Sequence, residues 1–260
     1  VLAAQEILRG PGRRREPVEP LSLQWYLELE QLRHQRQGRW IASLLEFGKH
    51  AGERLLGVGP GLGSDLAQYA RNGAEVVAAC PSAEQLALVR RNFELRGLRG
   101  SFLHAAAKAL PLDSASIDVA CVTGVLHEGD DPAALLDEVY RVLKPGGKVV
   151  AVVPARYDVD CWSRWCRLNQ RAAPPAEDRS PRCGVGLLSA SARKFTGREL
   201  KVLFHRFSEM RLWKRHLRRS ETPHPWRWLP SAVLERLMGR LLVFKGFKPV
   251  SAAIGEQAAA

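Results

Sequence analysis

Residues 54–72 read RLLGVGPGLGSDLAQYARN: a short apolar run, four glycines within the seven residues 57–63, then a stretch of helix composition. Glycines at such a joint remove Cβ atoms, so a ligand can approach the backbone and meet the N–H groups that open the following helix. The dinucleotide fingerprint G-x-G-x-x-G is not satisfied. Counted from Gly57 or Gly59, its last glycine would have to be Leu62 or Ser64. The spacing Gly59-x-Gly61-x-Gly63 suits a nucleoside–amino-acid ligand better than a pyrophosphate. Taken alone, it also fits a plain glycine turn between a strand and a helix.

Working outward, short apolar runs alternate with helical segments. Arg54–Val58, Glu75–Ala79, Ser101–His104, Ile117–Val122 and Lys148–Val153 read as buried strands. Asp65–Asn72, Ala83–Arg96 and Pro132–Leu143 read as the helices between them. Ser82 followed three residues later by Gln85 predicts a capping box, and Asp130 with Asp131 favours the start of the next helix. Alternation of this kind implies a parallel sheet with helices on both faces, whose ligands bind beyond the carboxyl ends of the strands. Upstream, residues 10–20 read as a flexible arm, and apolar spacing over Leu21–His50 predicts one or two amphipathic helices. Downstream, 155–192 is irregular and reads as a cap or insertion. The tail resumes with helix Thr196–Phe204, strand Met210–His216, helix Pro230–Arg240 and strand Leu241–Phe247.

Further motifs follow the glycine loop at fixed distances: ALPLDSASIDV (109–119), ACVTGVLHE (120–128) and DEVYRVLKPGGKVV (137–150). With them the sequence resembles the class I S-adenosylmethionine-dependent methyltransferases, in the small-molecule branch that includes ubiquinone- and menaquinone-type enzymes. The resemblance covers roughly residues 52–154, and LKPGG before an apolar strand is its most specific piece. It implies a Rossmann-like α/β domain: a seven-stranded, mostly parallel sheet with an antiparallel last strand. An N-terminal helical lid (21–51), the insertion (155–192) and a basic C-terminal completion of the sheet (193–260) would surround that core. S-adenosylmethionine is the implied cofactor and a small, lipophilic molecule the implied acceptor.

The same resemblance exposes three departures. The family places carboxylates before the glycine loop, at the end of strand two where the ribose hydroxyls bind, and after strand three beside adenine. Here those positions are Gly57, Cys80 and Ala106. Glu75 lies five residues upstream of Cys80, roughly 16 Å away along a strand. A charge-assisted hydrogen bond is worth roughly 1.5–3 kcal/mol, so loss of the ribose carboxylate weakens binding about ten- to a hundredfold. Two readings stay open: an active methyltransferase with an altered pocket, or a degenerate binding or regulatory module that keeps the fold.

By the same carry-over, Gly59, Pro60, Gly61 and Gly63 would line the methionine and ribose part, with Gly57 at the root of the loop. Cys80 and Pro81 would face ribose and adenine, and Ala106 and Ala107 would border adenine. Thr123, Gly124 and His127 would lie near the transferred methyl, with His127 either the base that takes an acceptor proton or a packed helix-start residue. Trp25, Tyr26 and Trp40 fit a lid over the cofactor or a helical core equally. Cys161 and Cys166, with Trp162 and Trp165 between them, read as an apolar patch and not a metal site.

Composition bounds the rest. Hydrophobic residues at 46% and charged residues at 25% exclude collagen, disorder and coiled coil. The net charge of +12 is concentrated: residues 193–260 hold 15 basic and 5 acidic side chains, whereas 52–157 hold 11 and 12. Charge therefore describes the tail and not the glycine-loop region. Arg211, Lys214, Arg215, Arg218 and Arg219, followed by His224, Trp226, Arg227 and Trp228, suit contact with anionic lipid or RNA, or simply a solvated edge. No run of eighteen apolar residues predicts a membrane span, the first residues lack a signal-peptide layout, and five unpaired-looking cysteines fit a reducing cytoplasm.

Overall fold

The computed structural model describes residues 18–36, 40–127, 131–163, 193–217, 221–222 and 224–250. Helix α1 (Leu23–Gln31) runs into a π-helical turn (Leu32–Arg36), and α2 (Trp40–Leu45) leads to the first strand. Then come β1 (Arg54–Val58), α3 (Ser64–Arg71), β2 (Glu75–Cys80), α4 (Ala83–Leu95), β3 (Ser101–His104) and β4 (Ile117–Thr123). The chain continues through α5 (Pro132–Val142), β5 (Leu143–Pro154), α6 (Gly197–Leu203), β6 (Ser208–Arg215), α7 (Ser231–Met238) and β7 (Leu241–Phe247).

The strands form one seven-stranded Rossmann-like sheet in the order β3-β2-β1-β4-β5-β7-β6. The first five are parallel, and β7 runs antiparallel to both β5 and β6. Strands β1, β4 and β5 are buried on both faces, as their near-continuous Val, Leu and Ala content requires. On one side α5 and α6 seat Leu135, Val139 and Leu200 against the sheet. On the other, α2, α3 and α4 supply Ile41, Leu66, Val89 and Phe93.

The elements depart from the sequence reading mainly at their ends. Strand β5 starts at Leu143, directly after α5, so LKPGG lies inside the strand as a bulge. Its register with β4 jumps between the pairs Ile117–Leu143 and Val119–Lys148, and Lys144 Nζ closes the bulge on Asp118 Oδ1 at 2.7 Å. Helix α5 is capped by Asp131, whose Oδ1 accepts from the N–H groups of Ala133 (3.1 Å) and Ala134 (3.0 Å), with Pro132 behind it. Asp130 lies outside the described residues. A complete capping box stands at Thr196 and Glu199, at the start of α6.

The N-terminal helices pack as core. Trp25 and Tyr26 are fully buried and meet edge to face at 4.9 Å. The Tyr26 hydroxyl donates to the Leu88 carbonyl at 2.9 Å, fastening α1 to α4. Glu46, just after α2, pairs with Lys148 of β5 and with Lys245 of β7 (3.0 Å), which ties this segment to the sheet. Burial works to raise the Glu46 pKa, but the two lysines hold it at about 2.

Candidate functional site

Between β1 and β4 the order of the strands reverses, and the loops leaving these neighbours part in opposite directions. That is where an open α/β sheet forms its ligand crevice. A shallow cleft, open to solvent, lies there, lined by Gly59, Pro60, Gly61, Ser64, Thr123 and Gly124. Leu29, Arg33, Leu62 and Asp65 complete its wall.

Two glycines make the cleft possible for different reasons. A Cβ on Gly59 would lie 1.8 Å from Val125 Cγ2 and 2.9 Å from the Thr123 carbonyl, so only glycine lets this loop pass the exit of β4. Gly61 is also left-handed (φ 58°), yet a Cβ there would meet nothing within 4 Å. Its missing side chain leaves space in the cleft itself. The first turn of α3, with Ser64 and Asp65, faces the same space, so the helix amino terminus opens onto the cleft.

Asp65 is held by the N-terminal segment. Arg33 Nε donates to Asp65 Oδ1 at 2.7 Å while a second guanidinium nitrogen bonds Oδ2, and His34 Nε2 lies 3.3 Å from Oδ1. Burial pushes the Asp65 pKa up, but Arg33 and His34 outweigh it and hold the carboxyl well below the usual range. The π-helical turn sets Arg33 and His34 on the same carboxylate although they are adjacent in sequence.

The opposite end of the cleft region is neutral. The space a side chain would need at Gly57 is taken by Leu66, whose Cδ2 lies 2.5 Å from a Cβ built there. Cys80 is 0% exposed, and its thiol donates to Gln85 Oε1 at 2.7 Å. This corrects the expected capping box: Ser82 Oγ accepts from the Gln85 N–H at 3.3 Å, but the Gln85 side chain is turned to Cys80 instead of returning to Ser82. Pro81 and Ala106 are exposed at neighbouring strand ends, with His104 Nε2 3.0 Å from the Pro81 carbonyl. Ala107 is half-buried against the core.

Of the residues expected to bind cofactor, Gly59, Pro60, Gly61, Thr123 and Gly124 therefore meet around one cleft. Gly57, Gly63, Cys80, Pro81, Ala106 and Ala107 lie beside or behind it. His127 follows three residues after Gly124, only 3% exposed, with its carbonyl accepting from the Arg193 N–H at 3.0 Å. Burial lowers its pKa, so the ring is neutral at physiological pH. Glu128 lies outside the described residues, as do Trp165, Cys166, Arg218 and Arg219. Arg33 and Asp65 went unread in the sequence; Asp65 sits two residues beyond the last glycine, but nothing in the spacing links it to Arg33. Among the described residues no group of three or more His, Cys, Asp or Glu could hold a metal ion.

Part of the basic cluster is used internally. Lys214 Nζ donates to the carbonyls of Tyr157 and Leu237, and burial lowers its pKa. Arg215 faces Glu235 at 3.7 Å.

Comparison with known proteins agrees with this geometry. Residues 56–151 match the family model described as a methyltransferase domain. A demethylmenaquinone methyltransferase of Clavibacter sepedonicus is 42% identical over 126 residues, which cover 48% of this chain and 51% of that protein. The chain thus spans about half the length of the curated relatives it matches. Among solved structures, a SAM-dependent methyltransferase from Aquifex aeolicus superposes with a TM-score of 0.56 at 15% identity, covering 87% of this chain and 98% of that one. The [4+2]-cyclase SpnF does so with a TM-score of 0.56 at 21% identity, covering 96% and 92%. At such identities the structures show the fold alone, which here serves two named activities. Residues 56–151 thus match a methyltransferase domain in sequence, and they hold the motifs and the β1/β4 crevice described above.

Proposed function

We propose that the chain transfers a methyl group from S-adenosylmethionine to a small, lipophilic acceptor of the quinone or quinol type. The carrying observation is the cleft at the strand reversal, where Gly61 leaves open volume beneath the amino terminus of α3. The demethylmenaquinone methyltransferase named above supports the acceptor class. The residues present fit the cofactor at its amino-acid end. Arg33 and Asp65, paired across the wall, offer one charge of each sign to a zwitterion.

When bound, the cofactor supplies an electrophilic methyl on a sulfonium. The chain's own task is then to position, to exclude water and to accept a proton. Gly59, Pro60, Gly61 and Gly63 would hold the methionine and ribose part, with Gly57 keeping the root of the loop slim. Cys80 and Pro81 would border the ribose, and Ala106 and Ala107 the adenine, by packing and backbone contacts instead of charge. Thr123 and Gly124 would lie beside the methyl, and His127, held neutral by burial, would take the acceptor's proton. Loss of turnover in His127→Asn with cofactor binding retained checks that last role. Of the basic residues of 193–260, read from the sequence as a contact for anionic lipid or RNA, Lys214 and Arg215 lie at the end of β6, on the carboxyl edge of the sheet.

The test is incubation of the full chain with S-adenosylmethionine and demethylated naphthoquinol, benzoquinol and simple phenol acceptors, read by mass spectrometry. A product carrying one added methyl supports the proposal. Saturable cofactor binding without methylation of any acceptor would instead favour the binding-module reading.

A further inference from the structure

The segment joining β6 to β7 lies at the cleft edge of the sheet. Both Arg215, the end of β6, and Pro154, the end of β5, pair in register with Leu241. Residues 216–240 therefore leave and re-enter the sheet at the carboxyl edge, where β4 ends at Thr123. Leu241 at the start of β7 and Arg215 at the end of β6 stand two and three strands from β4, about 10–15 Å at roughly 4.8 Å per strand.

This segment exposes apolar side chains that the core does not use. Trp228 is 78% exposed, and Val233 and Leu237 are 43% and 40% exposed. The latter two are one helical turn apart on α7, so they share a side. The inward side of the helix is already satisfied, since Leu234 and Met238 pack with Val159 and Leu217. Charge surrounds the outward residues: the exposed Arg227 precedes Trp228, and the exposed Arg236 precedes Leu237. Residues 216–240 contain five arginines and two glutamates. Both glutamates face cations of the fold, Glu235 toward Arg215 at 3.7 Å and Glu221 toward Arg240 at 3.5 Å.

We propose that this surface docks on an anionic lipid bilayer, with Trp228, Val233 and Leu237 entering the headgroup boundary and Arg227 and Arg236 meeting lipid phosphates. An exposed tryptophan beside outward aliphatic side chains and arginines is the combination that partitions to a headgroup boundary, the apolar parts entering and the cations staying at the phosphates. Single-stranded RNA would call for successive exposed rings on which bases stack. Here Trp226 is half-buried and packs on Trp162, with ring centroids 5.7 Å apart. The outward residues of α7 are aliphatic and have no ring face to offer, and the exposed His224 adds a single small ring. Docking would turn the cleft edge toward the membrane, which suits a lipophilic acceptor. The surface is argued without that reading, and its test contains neither cofactor nor acceptor.

The full chain is sedimented with vesicles of phosphatidylcholine alone and of phosphatidylcholine mixed with phosphatidylglycerol. Binding to the mixed vesicles only is expected, reduced at about 1 M salt, where the screening length falls to about 3 Å. Arg227→Gln and Arg236→Gln should each lower partitioning about fivefold, and Trp228→Ser about tenfold. Arg236 and Trp228 are exposed, so the melting temperatures of those two variants should stay within a degree or two of the parent, whereas Arg227 also donates through Nε to the Thr222 carbonyl at 3.1 Å. Failure of the folded chain to bind mixed vesicles, or equal binding to both kinds, would overturn the proposal. So would a Trp228→Ser variant that loses affinity for oligoribonucleotides while keeping its affinity for vesicles.

Discussion

Two neighbouring stretches of the carboxyl edge of this sheet, β1/β4 and β2/β3, are built differently. At the β1/β4 end, glycines clear space, a helix amino terminus faces it, and Arg33 and Asp65 place opposite charges on one wall. At the β2/β3 end, Cys80 is sealed against Gln85 and Ala106 carries no polar side chain, while at the root of the glycine loop the side-chain space at Gly57 belongs to Leu66. Backbone shape and fixed charge do the holding at one end; packing and carbonyls are left for the other. A cofactor with an amino-acid end and a nucleoside end would thus be gripped by the first and only accommodated by the second. This contrast has a direct energetic meaning, because removing a carboxylate from a ribose site costs about 1.5–3 kcal/mol of binding while leaving shape unchanged.

The contrast can be broken at several points, the largest effect first. Arg33→Met leaves Asp65 as a buried carboxylate without its bidentate partner, and stability should fall by about 3 kcal/mol in denaturant melts. The Asp65 pKa is depressed in the folded chain, so its contribution is fully present above the unfolded value of about 4 and is lost as pH falls below it. The variant should lose most of that acid dependence; an unchanged melt would show the pair to be incidental.

Gly61→Leu fills the cleft and should weaken binding of S-adenosylhomocysteine at least about a hundredfold, roughly 2.7 kcal/mol. Its left-handed backbone costs only about 1–2 kcal/mol of stability. Retained affinity would move the ligand away from β1/β4.

Cys80→Asp sharpens the contrast from the other side. A restored carboxylate should tighten S-adenosylhomocysteine about tenfold, or 1.4 kcal/mol, while lowering the melting temperature of the unliganded chain, since the new charge is buried. Unchanged affinity would mean that Cys80 does not border the ribose.

The smallest effect concerns His127, whose folded pKa lies below the ordinary value of about 6.5. Its stabilising share is complete above that value and declines as pH falls below it, so His127→Asn should flatten the melting profile on the acid side of about pH 6.5. A slope identical to the parent's would place the titration elsewhere.

Much of the fold was legible because strand burial and helix amphipathicity leave periodic marks over many residues. Arg54–Val58, Ser101–His104 and Leu241–Phe247 are found at the bounds their apolar runs predict. The cleft was legible only where backbone chemistry marks it: Gly59 and Gly61 have left-handed angles, and their pattern announces them. Arg33 was not legible, since its role depends on a π-helical turn that brings it to a carboxylate 32 residues away. Gln85 misled for a related reason. Its spacing from Ser82 satisfies a local rule, but a buried thiol at Cys80 competes for the same oxygen. The +12 charge sharpened in the same way: the glycine-loop region is balanced, and the excess gathers in residues 193–260.

The central claim is that this chain binds its cofactor at the β1/β4 crevice despite a neutral nucleoside end. Isothermal titration of S-adenosylhomocysteine into the full chain, beside Gly61→Leu, tests it most directly. The account predicts saturable heat for the parent chain, with a dissociation constant below about 1 mM (roughly 4 kcal/mol), and none for the variant. A folded parent chain that gives no heat up to that concentration, or equal heats for both, would contradict it.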